Sequence, residues 1–266
     1  MSLSVIIITY NEERNIGRCL ASLTDIADDI LVVDSFSTDK TEEICKQHGV
    51  RFIQRKFDGY GNQKRFATKQ AKFDYILSLD ADEALSPELR KSILDEKKNW
   101  SKPCYSFNLR NHYCGTPIRH CGWYPDRHVR LFNRNVTDWT QKDVHESIAV
   151  ADNKIVMQLK GDLLHYTCTT IAEHQEKEKK YARMNADSLV KKGKNILWIT
   201  PYIKGVFRFF KTYIIKLGIL DGYYGFVISK TLAKSSFYKY AWARNAIKNK
   251  EKIPSQVFAI ISSEHD

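Results

Sequence analysis

The feature that most restricts the fold is an alternation of short apolar runs with helix-type segments through the first 100 residues. The apolar runs have the length and β-branched content of buried strands, and Ser, Thr or Asp before a segment and Gly after it mark helix ends. This repeated alternation predicts an α/β fold with a doubly wound, mostly parallel sheet. The predicted strands are residues 4–10, 29–35, 50–57 and 73–79, and the predicted helices are residues 16–23, 37–49, 61–71 and 86–99.

Polar and acidic motifs follow three of the predicted strands. The stretches TYNEE, DSFSTD and DADE come at the ends of the first, second and fourth apolar runs. Parallel strands end at the same edge of a sheet, and α/β proteins bind ligands at that edge. We therefore expect the three motifs to meet in one crevice.

The DADE motif places three carboxylates, Asp80, Asp82 and Glu83, behind the apolar run YILSL. Neighbouring carboxylates repel one another unless a cation lies between them and an anionic group. Mg²⁺ or Mn²⁺ bridging to a diphosphate fits this pattern. The alternative is that Asp82 and Glu83 only begin the helix that Ser86 caps, because acidic residues stabilise helix N-termini.

Most of the net charge of +11 lies near the end of the chain, where residues 200–250 contain ten Lys or Arg and one acid. This contrast predicts an enzyme-like body, residues 1–168, followed by a basic helical extension, residues 169–266.

Within the extension, residues 201–220 have the pattern of an amphipathic helix, with too many charges to span a bilayer. We expect this helix to lie on an anionic membrane surface. The alternative is that its apolar stripe packs against the rest of the protein while its cations face solvent. The apolar residues are Ile203, Phe207, Phe210, Ile214 and Leu217, and the cations are Lys204, Arg208 and Lys211.

Cysteine and histidine spacing gives no sign of a zinc site or a disulfide framework. The six cysteines include no CxxC pair, and the histidines form no two-His ligand spacing on a clear helix. The N-terminal apolar run, Val5 to Ile8, lacks a basic leader and a cleavage site. We expect a protein of the reducing cytoplasm, peripheral on the inner face of the cytoplasmic membrane.

Three ordered motifs carry a family resemblance. ITYNEERNI (8–16), VVDSFSTDKT (32–41) and LSLDADE (77–83), in this order and at these separations, resemble the nucleotide-sugar-binding half of family 2 glycosyltransferases, which have the GT-A fold. The resemblance implies a GT-A fold with a helical C-terminal extension and a sugar-nucleotide donor.

The same resemblance implies roles for individual residues. In the first motif, it implies that Thr9, Asn11 and Glu12 line a nucleotide pocket. In the second motif, it implies that Asp34 contacts uracil or its ribose; the alternative is that Asp34 is a turn residue that opens the next helix. In the third motif, it implies that Asp82 is the metal ligand and that Asp80 contacts the ribose or a metal-bound water.

A finer resemblance lies in the middle of the chain. The segments GYGNQKRFA (59–67), CGWYPDRHVRLFNR (121–134), VHE (144–146) and LLHYT (163–167) look like the lipopolysaccharide core glucosyltransferase-like branch of the family, whose named members add β-1,4-glucose to the inner core. The resemblance covers about residues 1–240. It implies UDP-glucose as the donor and a lipid-linked oligosaccharide as the acceptor.

An inverting glycosyl transfer needs a carboxylate that takes the acceptor proton and cations that hold the departing diphosphate. Glu146 is the candidate base and Asp143 its competitor, and the sequence does not rank them firmly. Lys64 and Arg127 are favoured for the diphosphate, with Arg65 and Arg130 as further candidates. Solvated surface charge is the alternative for all of them.

His165 follows a short apolar run and precedes a capping box formed by Thr170 and Glu173. A lone histidine in this setting is most often a hydrogen-bonded core residue. The resemblance instead implies that His165, as a histidine late in the catalytic domain, completes the metal site with the DxD carboxylate and the diphosphate.

Two other classes of function remain open on the sequence. A nucleotidyltransferase also uses a doubly wound fold, but the first motif lacks the glycine-rich phosphate loop that such enzymes usually show. A binding protein without catalysis is the second alternative, since lysines interleaved with aromatics serve single-stranded nucleic acid or membranes. It leaves the three ordered motifs unexplained, so no nucleic-acid partner is expected.

Overall fold

The computed structural model describes residues 1–137, 139, 148–149, 155–193 and 195–249. They form two compact units, Met1–Arg110 with Pro125–Tyr166, and Asn111–Tyr124 with the described residues from Thr167 onward. The predicted division into residues 1–168 and 169–266 stays a prediction.

The first unit is built around a mixed sheet with the strand order β3-β2-β1-β4-β8-β6-β9-β5, and a short β7 pairs with the end of β6. The strands β1 to β4 are parallel to one another, whereas β8 pairs with β4 and β6 in the antiparallel sense. This sheet agrees with the predicted α/β class, and its antiparallel half lies outside the predicted strands. The strands are β1 (Leu3–Thr9), β2 (Asp29–Asp34), β3 (Arg51–Gln54), β4 (Tyr75–Asp80), β5 (Glu83–Leu85), β6 (Cys104–Tyr113), β7 (Thr116–Pro117), β8 (Asp126–Asn133) and β9 (Val156–Cys168).

Strand β1 is buried over all seven residues because β2 and β4 flank it and helices cover both faces. Its side chains alternate between two apolar clusters, with Val5 and Ile7 in one and Ile6 in the other. A continuous apolar run is what a central parallel strand requires. The helices of the first unit are α1 (Ile16–Ala21), α2 (Thr41–Gln47), α3 (Tyr60–Gln70) and α4 (Pro87–Lys97).

Local sequence signals begin two of the helices. Ser86 accepts a hydrogen bond from the backbone N–H of Leu89, and Pro87 occupies the first turn of α4. In the second unit, α5 (Ile171–Lys191) begins with the predicted capping box of Thr170 and Glu173.

The second unit is mainly helical. Helix α7 (Gly222–Asn249) packs against both α5 and α6 (Thr200–Phe210). Gly205 allows α6 to approach α7 closely, since a Cβ there would be 3.3 Å from the carbonyl oxygen of Ala233 in α7. None of the helices in the described part of the chain is both long enough and apolar enough to span a membrane.

The single helix predicted over residues 201–220 is wrong in its second half. Helix α6 gives way to a π-helical turn at Lys211–Ile215, and a 3₁₀ turn follows at Gly218–Asp221. Between them Leu217 has a left-handed backbone, with φ of +54°. The helical periodicity of the apolar residues continues across this break, so the pattern alone does not reveal it.

Gly161 of β9 allows the strand to pass close to the start of α4. A Cβ at this position would lie 2.2 Å from the backbone nitrogen of Leu89, and Gly161 has φ of +89°. We expect Gly161→Ala to reduce the free energy of unfolding by about 2–4 kcal/mol, through backbone clash and conformational strain together.

Gly49→Ala is the matched control, since Gly49 also has a positive φ, of +66°, but no atom lies within 4 Å of its Cβ position. It should lose only about 1 kcal/mol. Urea unfolding of both variants makes the comparison, and equal losses would contradict a close contact at Gly161.

Candidate functional site

The carboxyl ends of β1, β2 and β4 lie side by side, as the motifs predict. Thr9 pairs with Asp34 across β1 and β2, and Ile8 pairs with Asp80 across β1 and β4. The hydroxyl of Thr9 is buried and makes no hydrogen bond to any described residue. Buried polar groups are normally satisfied, so this hydroxyl is suited to a ligand or an ordered water.

The loops that follow β1 and β2 are hydrogen-bonded to each other. The backbone N–H of Asn11 donates to Ser37 Oγ (2.8 Å), and the N–H of Thr38 donates to Asn11 Oδ1 (2.8 Å). The N–H of Glu12 donates to Thr41 Oγ1 (2.9 Å). Asn11 is in the left-handed region with φ of +52°. These hydrogen bonds between the two loops fix the shape of the crevice.

Two of the predicted nucleotide-pocket carboxylates also hold these loops. Asp34 accepts a hydrogen bond from the backbone N–H of Ser37 (2.8 Å), which is the turn-closing role given above as the alternative. Glu12 accepts from the side-chain amide of Asn15 (2.7 Å). A contact of Asp34 with a nucleobase or ribose stays a prediction, and it is compatible with the turn because Asp34 lies at the strand end.

An ion cluster of Lys64, Asp80, Glu83 and Arg130 surrounds the end of β4. The Nζ of Lys64 lies 3.0 Å from Asp80 Oδ1, and Arg130 lies 3.4 Å from Asp80 Oδ2 and 3.1 Å from Glu83 Oε1. The backbone N–H of Asp80 donates to Glu83 Oε2 (2.8 Å). The side chains of Lys64 and Glu83 are almost fully buried, so each charge needs its partners.

The pKa values of the two carboxylates in the cluster are shifted in opposite directions. Burial would raise the pKa of Asp80, but the neighbouring charges of Lys64 and Arg130 outweigh it and hold this pKa well below the ordinary value. Burial raises the pKa of Glu83, and the charge of Asp80 adds to the effect against the opposing influence of Arg130. Asp80 is therefore ionised, although its Oδ1 accepts no well-formed hydrogen bond from any described residue.

A β-bulge directs Arg130 into the cluster. Tyr105 pairs with Leu131 and Ser106 pairs with Val129, which leaves Arg130 as the extra residue of β8. A bulge of this kind re-aims a side chain out of the regular alternation of the strand. Arg127, which was favoured over Arg130 for the diphosphate, lies in the regular part of β8 and is exposed.

Asp82 and His165 form the second element of the site. His165 Nε2 lies 3.1 Å from Asp82 Oδ2, and both side chains are about one-fifth exposed. The pairing of β5 with β9 makes Glu83 and His165 register partners, and the N–H of Tyr166 donates to the carbonyl of Asp82. Sheet pairing thus brings together residues that are far apart in the sequence.

The residues present fit a divalent metal that also takes ligands from a diphosphate. A carboxylate and an imidazole lie together at the crevice, and Asp80 Oδ1, which is 3.0 Å from Lys64 Nζ, accepts no well-formed hydrogen bond from the described residues. Within those residues, no group of three or more His, Cys, Asp or Glu side chains could hold a metal by itself. Mg²⁺ and Mn²⁺ commonly use one or two protein ligands with substrate phosphates and water.

The protonation of His165 depends on the same carboxylates. Burial lowers the pKa of His165, but its hydrogen bond to Asp82 and the charges of Asp82, Glu83 and Asp80 reverse this effect and raise the pKa above the ordinary value of 6.5. A metal at Asp82 and His165 would compete with this proton.

The catalytic candidates Glu146 and Asp143 lie outside the described residues. Lys64 is described, and its ammonium is engaged with Asp80 and lies 5.3 Å from the centroid of the Trp139 ring. A contact of Lys64 with a diphosphate stays a prediction.

Sequence reasoning missed Arg18, whose guanidinium lies 3.8 Å from the centroid of the Tyr166 ring beside the Asp82–His165 pair. It also gave no role to Glu83 as a buried acceptor for Arg130. The acidic motif itself was the available signal for Glu83, whereas the contact of Arg18 has no local sequence signal.

Comparisons with known proteins show the family of the chain. Residues 4–149, more than half of the chain, match the family model for Glycosyl transferase family 2. An uncharacterized glycosyltransferase of Rickettsia typhi is 30% identical over 272 residues, covering 95% of this chain and 90% of its own. The lipopolysaccharide core biosynthesis glycosyltransferase LpsC of Rhizobium meliloti is also 30% identical over 272 residues, covering 95% of this chain and 96% of its own.

The crystal structure of S. aureus TarS in complex with UDP aligns over 94% of this chain and 92% of that chain, with 14% identity and a TM-score of 0.45. The family match over residues 4–149 includes all three motifs and the crevice that they form. The chain therefore belongs to glycosyltransferase family 2 and is an enzyme of glycosyl transfer.

Proposed function

We propose that this glycosyltransferase moves a sugar, glucose by resemblance, from a UDP-sugar to a lipid-linked glycan, with inversion and with Mg²⁺ or Mn²⁺. The name of LpsC, which refers to lipopolysaccharide core biosynthesis, supports a lipopolysaccharide core as the acceptor.

The observation that carries the proposal is the Asp82–His165 pair beside the ionised Asp80. A carboxylate suits Mg²⁺ or Mn²⁺, a neutral imidazole suits Mn²⁺ better than Mg²⁺, and two protein ligands leave positions for phosphate oxygens. This arrangement supports a site in which donor and metal bind together.

The residues of the chain then have separate roles in an inverting displacement. Asp82 and His165 would hold the metal, which would supply positive charge for the departing diphosphate. Lys64 and Arg130 keep Asp80 ionised and fixed in place. Glu146 takes the proton of the acceptor hydroxyl as that oxygen attacks the anomeric carbon, and the bond from the anomeric carbon to the diphosphate oxygen breaks to release UDP.

A lipid-linked acceptor requires the enzyme to work at a membrane, and we place it on the inner face of the cytoplasmic membrane. Helix α6 supports this part of the proposal, because its cations Lys204 and Arg208 are exposed beside exposed Ile203 and Phe207. The apolar stripe of the helix is not buried, whereas the alternative, packing against the rest of the protein, would bury it. Cations beside apolar side chains suit an anionic leaflet.

Asp82→Ala should remove the metal-dependent part of donor binding. At Mn²⁺ and UDP concentrations about 100 times the dissociation constant, binding adds about 2.7 kcal/mol to the stability of the folded protein. Thermal melting with UDP or UDP-glucose, with Mn²⁺ or with EDTA, measures this increment. The control is Asp95→Ala, since Asp95 is an exposed acid on α4 that pairs with Lys98. An undiminished Mn²⁺-dependent shift in Asp82→Ala would remove the ligand role of this residue.

The raised pKa of His165 predicts opposite pH dependences for the free and the loaded enzyme. In the free protein, protonated His165 stabilises the fold below about pH 6.5, and this contribution is lost as the pH rises through the higher pKa of the folded state. A metal needs the neutral imidazole, so the shift produced by Mn²⁺ and UDP should increase over the same range.

Melting curves from about pH 5.5 to 8.5, a range that brackets the ordinary histidine pKa, test both trends. His165→Asn is the control, and both trends should disappear in it. A Mn²⁺-dependent shift that decreases with rising pH would contradict a metal site at His165.

Glu146→Gln should retain UDP binding and lose turnover by about 100-fold or more, because general base catalysis contributes on the order of 10²–10⁴. Asp143→Asn is the matched comparison three residues away. Release of UDP in the presence of a lipopolysaccharide core acceptor measures turnover. If Asp143→Asn is the inactive variant and Glu146→Gln turns over normally, the assignment of the base is reversed.

A further inference from the structure

Exposed apolar side chains are concentrated in one part of the second unit. Of the 20 large apolar side chains exposed in the described residues, 14 lie between Leu197 and Phe226. Scattered exposed apolar residues are ordinary, but a concentration of this size marks an interaction surface.

This surface extends beyond α6 into the turn that follows it. Residues 214–223, which we call the apolar turn, contain six apolar side chains that are 48–68% exposed. They are Ile214, Ile215, Leu217, Ile219, Leu220 and Tyr223.

The apolar turn is held in place by polar contacts within the second unit. The carboxylate of Asp221 accepts hydrogen bonds from the backbone N–H of Arg119 (3.1 Å) and of His120 (2.9 Å). The N–H of Cys121 donates to the carbonyl of Lys216 (2.9 Å). Both ends of the 3₁₀ turn are therefore fixed to the segment 118–123.

Close backbone packing adds to this fixation. A Cβ on Gly225 would lie 1.8 Å from the carbonyl oxygen of Gly218, and a Cβ on Gly218 would lie 2.8 Å from Cys121 Sγ. Leu217 is held in the left-handed region, an unfavourable conformation for a leucine. The structure thus keeps a strained, tightly packed turn that exposes apolar side chains to solvent.

The charges near the turn are almost all positive. Lys204, Arg208, Lys211 and Lys216 are exposed within the same segment, and the acid of the segment, Asp221, is engaged by the backbone of Arg119 and His120. A stretch of chain that exposes both apolar side chains and cations matches the boundary between acyl chains and anionic headgroups.

We propose that the apolar turn is a preformed wedge that inserts into the acyl boundary of a phospholipid bilayer, while the flanking cations contact anionic headgroups. This inference rests on the proposed function, since a lipid-linked acceptor is what brings the enzyme to a bilayer. It differs from surface attachment of α6 in the side chains that enter the bilayer, which lie on the turn after the helix. Their insertion provides binding that salt does not screen.

A second copy of the chain is the competing occupant of this surface. A self-interface would bring the exposed cations of two copies close together, where like charges repel. An anionic bilayer attracts the same cations, and the charge pattern therefore favours lipid.

Ile215→Ser with Leu220→Ser tests the wedge. Both side chains are about two-thirds exposed, so their replacement leaves the packed side of the turn intact. Val136→Ser with Tyr181→Ser is the control, since these large apolar residues are about half exposed and lie outside the surface. Co-sedimentation with vesicles of phosphatidylcholine and phosphatidylglycerol measures binding, in low salt and in about 1 M NaCl, where the screening length is about 3 Å.

The wild type and the control should retain binding in high salt, and the wedge variant should lose at least about tenfold there. Equal binding of the variant and the control would overturn the proposal. So would complete loss of wild-type binding in high salt, which indicates attachment by charge alone. A wild-type dimer that the wedge variant converts to a monomer, without vesicle binding, would assign the surface to a second copy.

Thermal melting with Mn²⁺ and UDP separates this inference from the proposed function. The wedge variant should keep the full metal-dependent shift of the wild type. Loss of vesicle binding with a normal shift therefore supports the wedge, whereas absence of the shift in the wild type would count against the proposed donor and leave the vesicle result to stand by itself.

Discussion

The ion cluster at the end of β4 is the constraint on which the rest of the site depends. Asp80 and Glu83 are brought close together behind a buried strand, and their charges are balanced by Lys64 from α3 and Arg130 from β8. Because Lys64 and Glu83 are almost fully buried, removal of one partner would leave an uncompensated charge. The cluster holds Asp80 ionised, and Asp82, two residues further along the chain, pairs with His165.

The sequence was a good guide to everything that local pattern controls. Asp80 and Asp82 lie at the carboxyl end of a parallel strand because the apolar run before them is a buried strand, and Thr9 and Asp34 lie beside them for the same reason. The capping box at Thr170 and the start of α4 at Ser86 also follow local rules. These elements predicted the crevice and the family to which the chain belongs.

The remaining features depend on contacts between distant parts of the chain. His165 reaches Asp82 only through the pairing of β5 with β9, and Arg130 reaches the acidic residues only through a bulge in β8. The break after α6 results from the packing of Gly218 and Gly225 and from the hydrogen bonds of Asp221, whereas the apolar periodicity continues through it. A local sequence pattern does not contain the contacts between distant residues, which explains why the predicted helix over residues 201–220 was too long.

The central claim is that Asp82 and His165 form half of a metal site that the donor diphosphate completes. Calorimetric titration of Mn²⁺ into the protein, with and without saturating UDP, tests it most directly. Binding of metal and nucleotide is reciprocal, so the account predicts weak Mn²⁺ binding alone, much tighter binding at one ion per chain with UDP, and an equal gain in UDP affinity with Mn²⁺. Mn²⁺ affinity that is the same with and without UDP would contradict the account.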